Sequence, residues 1–163
     1  MARRVFFSFH YERDIWRASQ IRNSWVTKPD REYAGFWDAA SWEEVKKKGD
    51  EAIKRWIDAQ LQGTSVTAVL IGAETSERKY VGYEIEQSHN RGNGMLAIYI
   101  HNMQDQYRRT DLPGKNPLAE WHVIRNGSKT LLSNIYRAYD WAANNGYVNL
   151  GTWIEQAARD AGR

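Results

Sequence analysis

Three short apolar runs constrain this chain more than any other feature. Val5–Phe9 (VFFSF), Val66–Ile71 (VTAVLI) and Met95–Ile100 (MLAIYI) are nearly continuous rather than alternating, the pattern of strands buried on both faces. Between them lie segments with apolar residues three and four apart. Asp14–Trp25 carries Ile15, Ala18, Ile21 and Trp25. Asp50–Gln62 carries Ile53, Trp56, Ile57 and Leu61, with Gly63 placed to end it, and a third such segment is KYVGYEIEQS, residues 79–88. Ala34–Trp37 reads as a further short strand after a polar loop at Lys28–Glu32. Strands alternating with helices predict an α/β fold, an open parallel sheet with helices on both faces.

Beyond His101 the regularity weakens. Met103–Pro117 reads as a long surface loop and Thr130–Ala143 as a helix stopping near Asn144-Asn145-Gly146. A last helix is expected at Thr152–Ala161, opened by the capping pattern Thr152-Trp153-Ile154-Glu155; Ser41-Trp42-Glu43-Glu44 has the same form. No shift of composition marks a boundary. Residues 1–163 therefore read as one domain, with a core at about 3–102 and a loop and C-terminal helical extension at 103–163.

Composition removes several classes of function. With 23 basic and 20 acidic residues the net charge is only +3, too little for a nucleic-acid footprint. Lys46–Lys48 is the one tight basic run and reads as a solvated face. The chain has no cysteine, which suits a reducing cytoplasm and excludes disulfides and thiolate metal sites. His10, His89, His101 and His122 lack metal-ligand spacing, so no metal is expected. The N-terminal apolar run is too short for a signal peptide and no stretch reaches the length of a membrane span. A soluble cytoplasmic protein is expected, with neither membrane nor nucleic acid as partner. There is no GxxxxGK phosphate loop and no GxSxG elbow, and Val66–Ile71 runs into Gly72-Ala73-Glu74 without the aspartate a phosphoacceptor needs.

In open parallel sheets, ligands bind beyond the carboxyl ends of the strands. That directs attention to the loops after Phe9, Trp37, Gly72 and Ile100, and to the helix opening after the third of these. At 100° per residue, Val81, Ile85 and Ser88 of KYVGYEIEQS fall together on the sheet side. Tyr80, Tyr83, Glu84 and Gln87 form the adjacent strip, with Glu84 nearest the apolar edge, while Glu86 points away. Glu84 thus belongs at the rim of a cleft. The helix macrodipole by itself also favours an acid there, by roughly 0.3–1 kcal/mol.

These residues resemble a known family. RVFFSFHYERD is similar to the first strand of TIR domains, GFWDAASW to the second strand and its loop, and TSVTAVLIGAETSERKYVGYEIEQS to the central strand, turn and following helix. FFSFHY, WI-x-x-QL-x-GTSV, VLIG-x-x-T and YEI together resemble the TIR-like branch that makes the signal in Thoeris anti-phage systems. The resemblance covers about Arg3–Asn102, and the terminal Trp-Ile-Glu-x-Ala-Ala helix more loosely. It implies a flavodoxin-like (TIR-like) fold that cleaves NAD+, which is consumed as substrate with no further cofactor. Glu84 falls on the family's catalytic glutamate. Ser8, Phe9 and His10 fall on the first-strand edge of the substrate pocket, with His10 where many TIR domains have arginine. Asp38 falls at the end of the second strand. Tyr80 replaces the usual tryptophan four residues before the glutamate, and Tyr83 stands beside it. A downstream effector sensing the nucleotide product, and self-assembly on activation by a phage component, are implied partners.

One carboxylate suffices for that chemistry. Glycoside hydrolysis ordinarily needs a second to protonate an alkoxide leaving group, but nicotinamide leaves a pyridinium as a neutral molecule. What remains is cationic charge at the ribose, which a carboxylate about 4 Å away stabilises by roughly 4 kcal/mol at an effective dielectric near 20. That is about a thousandfold in rate. Water would give ADP-ribose, an internal hydroxyl or adenine nitrogen a cyclic isomer, and an added small molecule a conjugate. The sequence leaves the product open. It also leaves open a non-enzymatic TIR-like interaction module, and a sensor that binds NAD+ without turnover.

Overall fold

A computed structural model describes residues 3–163. Five strands form one parallel sheet: β1 (Arg3–Ser8), β2 (Arg31–Ala34), β3 (Val66–Ile71), β4 (Gly94–Tyr99) and, past an antiparallel hairpin, β7 (Arg137–Asp140), in the order β2-β1-β3-β4-β7. The hairpin is β5 (His122–Arg125) with β6 (Ser128–Leu131). This is the flavodoxin-like order, whose switch point lies between β1 and β3.

The three apolar runs fall on β1, β3 and β4, where nearly every side chain is buried. On one face Val5, Phe7, Ala68, Leu70, Leu96 and Ile98 pack beneath α1 (Tyr11–Trp25) and α5 (Gly146–Asp160). On the other, Phe6 meets α3 (Asp50–Leu61), while Val69, Ile71 and Ala97 meet α4 (Lys79–Asn90) and the short 3-10 turns at Pro117–Glu120 and Leu132–Asn134. Each of the larger side chains among them contributes about 1.5–3 kcal/mol when fully buried. α2 (Ala39–Lys48) leads into α3 through Gly49. Among the described residues, no helix is long and apolar enough to cross a membrane.

Several elements depart from expectation. The second strand is Arg31–Ala34 rather than Ala34–Trp37: it is an edge strand whose polar residues face outward. It ends at Gly35, whose φ of +91° turns the chain across β1, and any β-carbon there would strike the Phe7 carbonyl. The cap of α2 is Asp38, three residues before the expected Ser41, and α5 starts at Gly146 rather than Thr152. The expected helix Thr130–Ala143 is instead the end of the hairpin, a 3-10 turn and the edge strand β7. Its three- and four-spaced apolar residues find partners singly, Leu132 and Tyr136 against the α4 side and Tyr139 and Trp141 against the α5 side. The sheet therefore draws its fifth strand and a covering helix from beyond residue 102.

The loop after β4 is held down by charge. Buried Arg17 donates to the Met103 carbonyl (2.8 Å) and the Arg109 carbonyl (2.9 Å), and pairs with buried Asp14 at 3.3 Å and with Asp111 at 3.8 Å. Arg13 grips Asp111 through two bonds of 3.1 Å. Gly72 lets α1 approach this closely, since a β-carbon there would collide with the Asp14 carboxylate. Burial pushes Asp14 up to about 6 against the pull of Arg17.

Removing one member of a buried ion pair strands the other, at a cost of about 3–5 kcal/mol. Arg17→Ala is expected to lose that much in urea denaturation well above pH 6, where Asp14 is ionised. The deficit should shrink below Asp14's titration as the lone carboxyl takes a proton. Asp105→Asn, at a half-buried partner a longer 3.9 Å from Arg17, should cost less, about 1 kcal/mol.

Candidate active site

Val81, Ile85 and Ser88 of α4 are buried against the sheet, and Ser88 is anchored to Thr67 of β3 by a 2.7 Å hydroxyl–hydroxyl bond. That anchoring sets the rotation of the helix. It turns Glu84 inward, 7% exposed, over the carboxyl end of β1, and leaves Glu86 half-buried on the outer side. The Ser8 hydroxyl donates to Glu84 Oε1 at 2.8 Å. Among the described residues no cation offsets the burial, which pushes Glu84 up to about 8, with the Ser8 bond pulling the other way.

Glu84 closes the floor of a crevice walled by Phe9, Tyr11, Trp37, Trp42, Arg78 and Tyr80. Trp37 stacks on Trp56 at 3.4 Å and meets Trp42 edge-on at 4.9 Å, and Tyr11 lies 5.4 Å from Trp42. The Tyr11 hydroxyl donates to the Trp37 carbonyl at 3.3 Å, tying the start of α1 to the segment before α2. The free volume is about 30 Å³, room for a water or two and no more. A dinucleotide enters only if this aromatic wall moves. The Trp42 Nε1–H is buried without an acceptor, a donor facing dry surroundings.

Of the residues singled out from sequence, Ser8, Phe9, Tyr80 and Glu84 come together here. Tyr80 presents its ring to the crevice and bonds its hydroxyl to Asp50 at 2.8 Å. The other three do not line the crevice. His10 caps α1 by accepting from the Arg13 N–H, and burial, then Arg78, lowers its pKa. Exposed Asp38 caps α2 through the Ser41 N–H (2.8 Å) and hydroxyl (2.7 Å), which hold its carboxyl below the usual range. Tyr83 faces α3, its hydroxyl 2.8 Å from Asp58 and its ring under the Lys54 ammonium. Burial and then Asp58 push it up to about 12. Tyr11, Trp37, Trp42 and Arg78 were not anticipated. The signal for the tryptophans was present in GFWDAASW and in the eight tryptophans of the chain. Among the described residues, no group of three or more His, Asp or Glu side chains is arranged to hold a metal ion.

A flavodoxin-like sheet with a desolvated carboxylate hung over the end of its first strand is the architecture of a TIR-like domain. The chain belongs to the TIR-like domain family of the Thoeris protein ThsB, whose family model matches residues 6–105. It is similar, at 37% identity over 94% of its length and all of the relative's, to the Bacillus cereus (strain MSX-D12) protein named "Putative cyclic ADP-D-ribose synthase ThsB1".

Glu84 binds a proton more tightly folded than unfolded, so stability falls as pH rises from about 4.5 towards 8. Glu84→Gln removes that penalty and still accepts from Ser8. Its melting temperature should exceed that of the wild type, by a margin that widens with pH across the same window. Ser8→Ala removes the interaction that lowers the Glu84 pKa, so a carboxyl titration followed by NMR should move further upward.

Proposed function

We propose that this protein breaks the nicotinamide–ribose bond of NAD+ and converts the remainder to a cyclic ADP-ribose-type signal in anti-phage defence. The observation that carries the reading is the buried, cation-free carboxylate of Glu84 above the end of β1. A carboxyl held dry with no counter-charge resists ionising by itself and becomes a good partner once a cation arrives. NAD+ brings one: the pyridinium ring of the substrate, and then the oxocarbenium left at the ribose. The electron pair of the C1′–N bond leaves with nicotinamide, which departs neutral. A hydroxyl or adenine nitrogen of the same molecule then closes on C1′, and a hydroxyl proton released in that step can pass to Glu84.

Aromatic walls that close again around a bound dinucleotide would keep competing water out, which favours closure over hydrolysis. Ser8 fixes the carboxylate's orientation, Phe9 and Tyr80 offer ring surface, and the Trp42 N–H offers a donor to a substrate oxygen. Because the crevice is shut, admission of substrate is the step on which a phage component or self-assembly would act. The product would be read by a downstream effector, with the whole exchange in the cytoplasm.

Assays of nicotinamide release, with products identified by mass spectrometry from phage-challenged cells, test this reading. Glu84→Gln should fold and lose at least a thousandfold in release, as expected from about 4 kcal/mol of charge stabilisation, while Glu86→Gln keeps most of it. Equal loss from both would sink the assignment. In the wild type, kcat/KM should rise with pH through about 8 as free Glu84 ionises. The limb in kcat should lie lower, because the bound pyridinium draws the carboxyl towards its charged form.

A further inference from the structure

A space larger than the Glu84 crevice opens at the other end of the sheet. Beneath the amino ends of β4 and β7 lies a cavity of about 440 Å³, which shares no residue with the crevice. Four elements converge on it: α4 through His89, the β5–β6 hairpin through Arg125, β7 through Arg137 and Tyr139, and α5 through Trp153 and Asp160. Its size lies in the range of small-molecule sites.

The lining is chemically mixed. Tyr139 stacks on Trp153 at 4.2 Å and 10°, giving a flat, rigid wall. The His89 Nδ1 and the Tyr136 hydroxyl bond at 2.8 Å, which fixes both rings and leaves the other imidazole nitrogen without a hydrogen-bond partner among the described residues. Of the charges, Arg137 is partnered by Asp160 at 3.3 Å, and Asp160 also accepts from Gln156 at 2.7 Å. Arg125 makes no ion pair or side-chain hydrogen bond among the described residues. The cavity thus presents aromatic surface together with one guanidinium that lacks a counter-charge, and its single carboxylate is already engaged.

We propose that this cavity is a second ligand site, for a mononucleotide-sized anion that carries a heteroaromatic ring. The ring lies along the Tyr136, Tyr139 and Trp153 side, and the phosphate is taken by Arg125 in the bidentate manner that guanidinium suits. Such a ligand would tie the hairpin to the edge of the sheet. A two-stranded hairpin is only marginally stable by itself, so occupancy has a local signature. The assignment does not depend on the reaction proposed for Glu84.

Calorimetric titration of the full chain with AMP, adenosine and inorganic phosphate at millimolar concentrations tests it, with hydrogen exchange as a second readout. AMP should bind. Adenosine and phosphate, each lacking half of the ligand, should bind at least tenfold more weakly. Arg125→Ala, a surface change that spares the fold, should weaken AMP by roughly ten- to a hundredfold, the scale of one charge-assisted contact. Trp42→Phe, in the other crevice, should leave AMP affinity unchanged. Bound AMP should slow exchange across 122–131 and 137–139. Absence of AMP binding, affinity indifferent to Arg125→Ala, or affinity lost with Trp42→Phe would overturn the proposal.

Discussion

A parallel sheet has no face that can be left wet, and the arrangement of this molecule follows from that. Each central strand presents apolar side chains both upward and downward, so helices must lie on both sides. Connections between parallel neighbours are then long enough to hold those helices. The reversal of strand order between β1 and β3 parts the loops at one end of the sheet. The crevice is a by-product of covering the strands. Glu84 occupies it because Val81, Ile85 and Ser88, on the same helix, are claimed by the sheet.

The Glu84–Ser8 contact sets packing against chemistry. A residue at the last position of a buried strand has no solvent to turn to, and the hydroxyl of Ser8 finds its acceptor on the facing helix. The carboxyl gains one hydrogen bond and loses its hydration, and one bond from a neutral donor does not offset that loss. The result is an acid tuned towards neutrality by burial. The aromatic ring cluster over it keeps the site dry, and it also keeps the site shut.

The sequence disclosed those parts of the fold where burial is two-sided or helical. β1, β3, β4 and helices α1, α3 and α4 were legible because every position in them answers to the same core. β2 and β7 were not. They are edges, with Glu32, Tyr33, Arg137 and Ala138 exposed, so neither continuity nor alternation betrays them. For the site, the helical wheel separated Glu84 from Glu86, and the family resemblance placed Ser8 and Phe9. Asp38, His10 and Tyr83, singled out alongside them, take hydrogen-bonded places elsewhere, by capping a helix end or meeting a neighbouring helix. Trp37 and Trp42 come to Glu84 only through the turn at Gly35, which no periodicity reports.

The late arrival of β7 has a consequence for how the protein is made. Its partner β4 ends at Tyr99, and the strand that covers that edge begins at Arg137, with α5 later still. During synthesis the nascent sheet therefore stands with β4 as an open, apolar edge until β7 has left the ribosome. Unpaired edges of this kind recruit other chains. Translation that stalls before residue 137 would leave that edge bare and prone to pair with other chains.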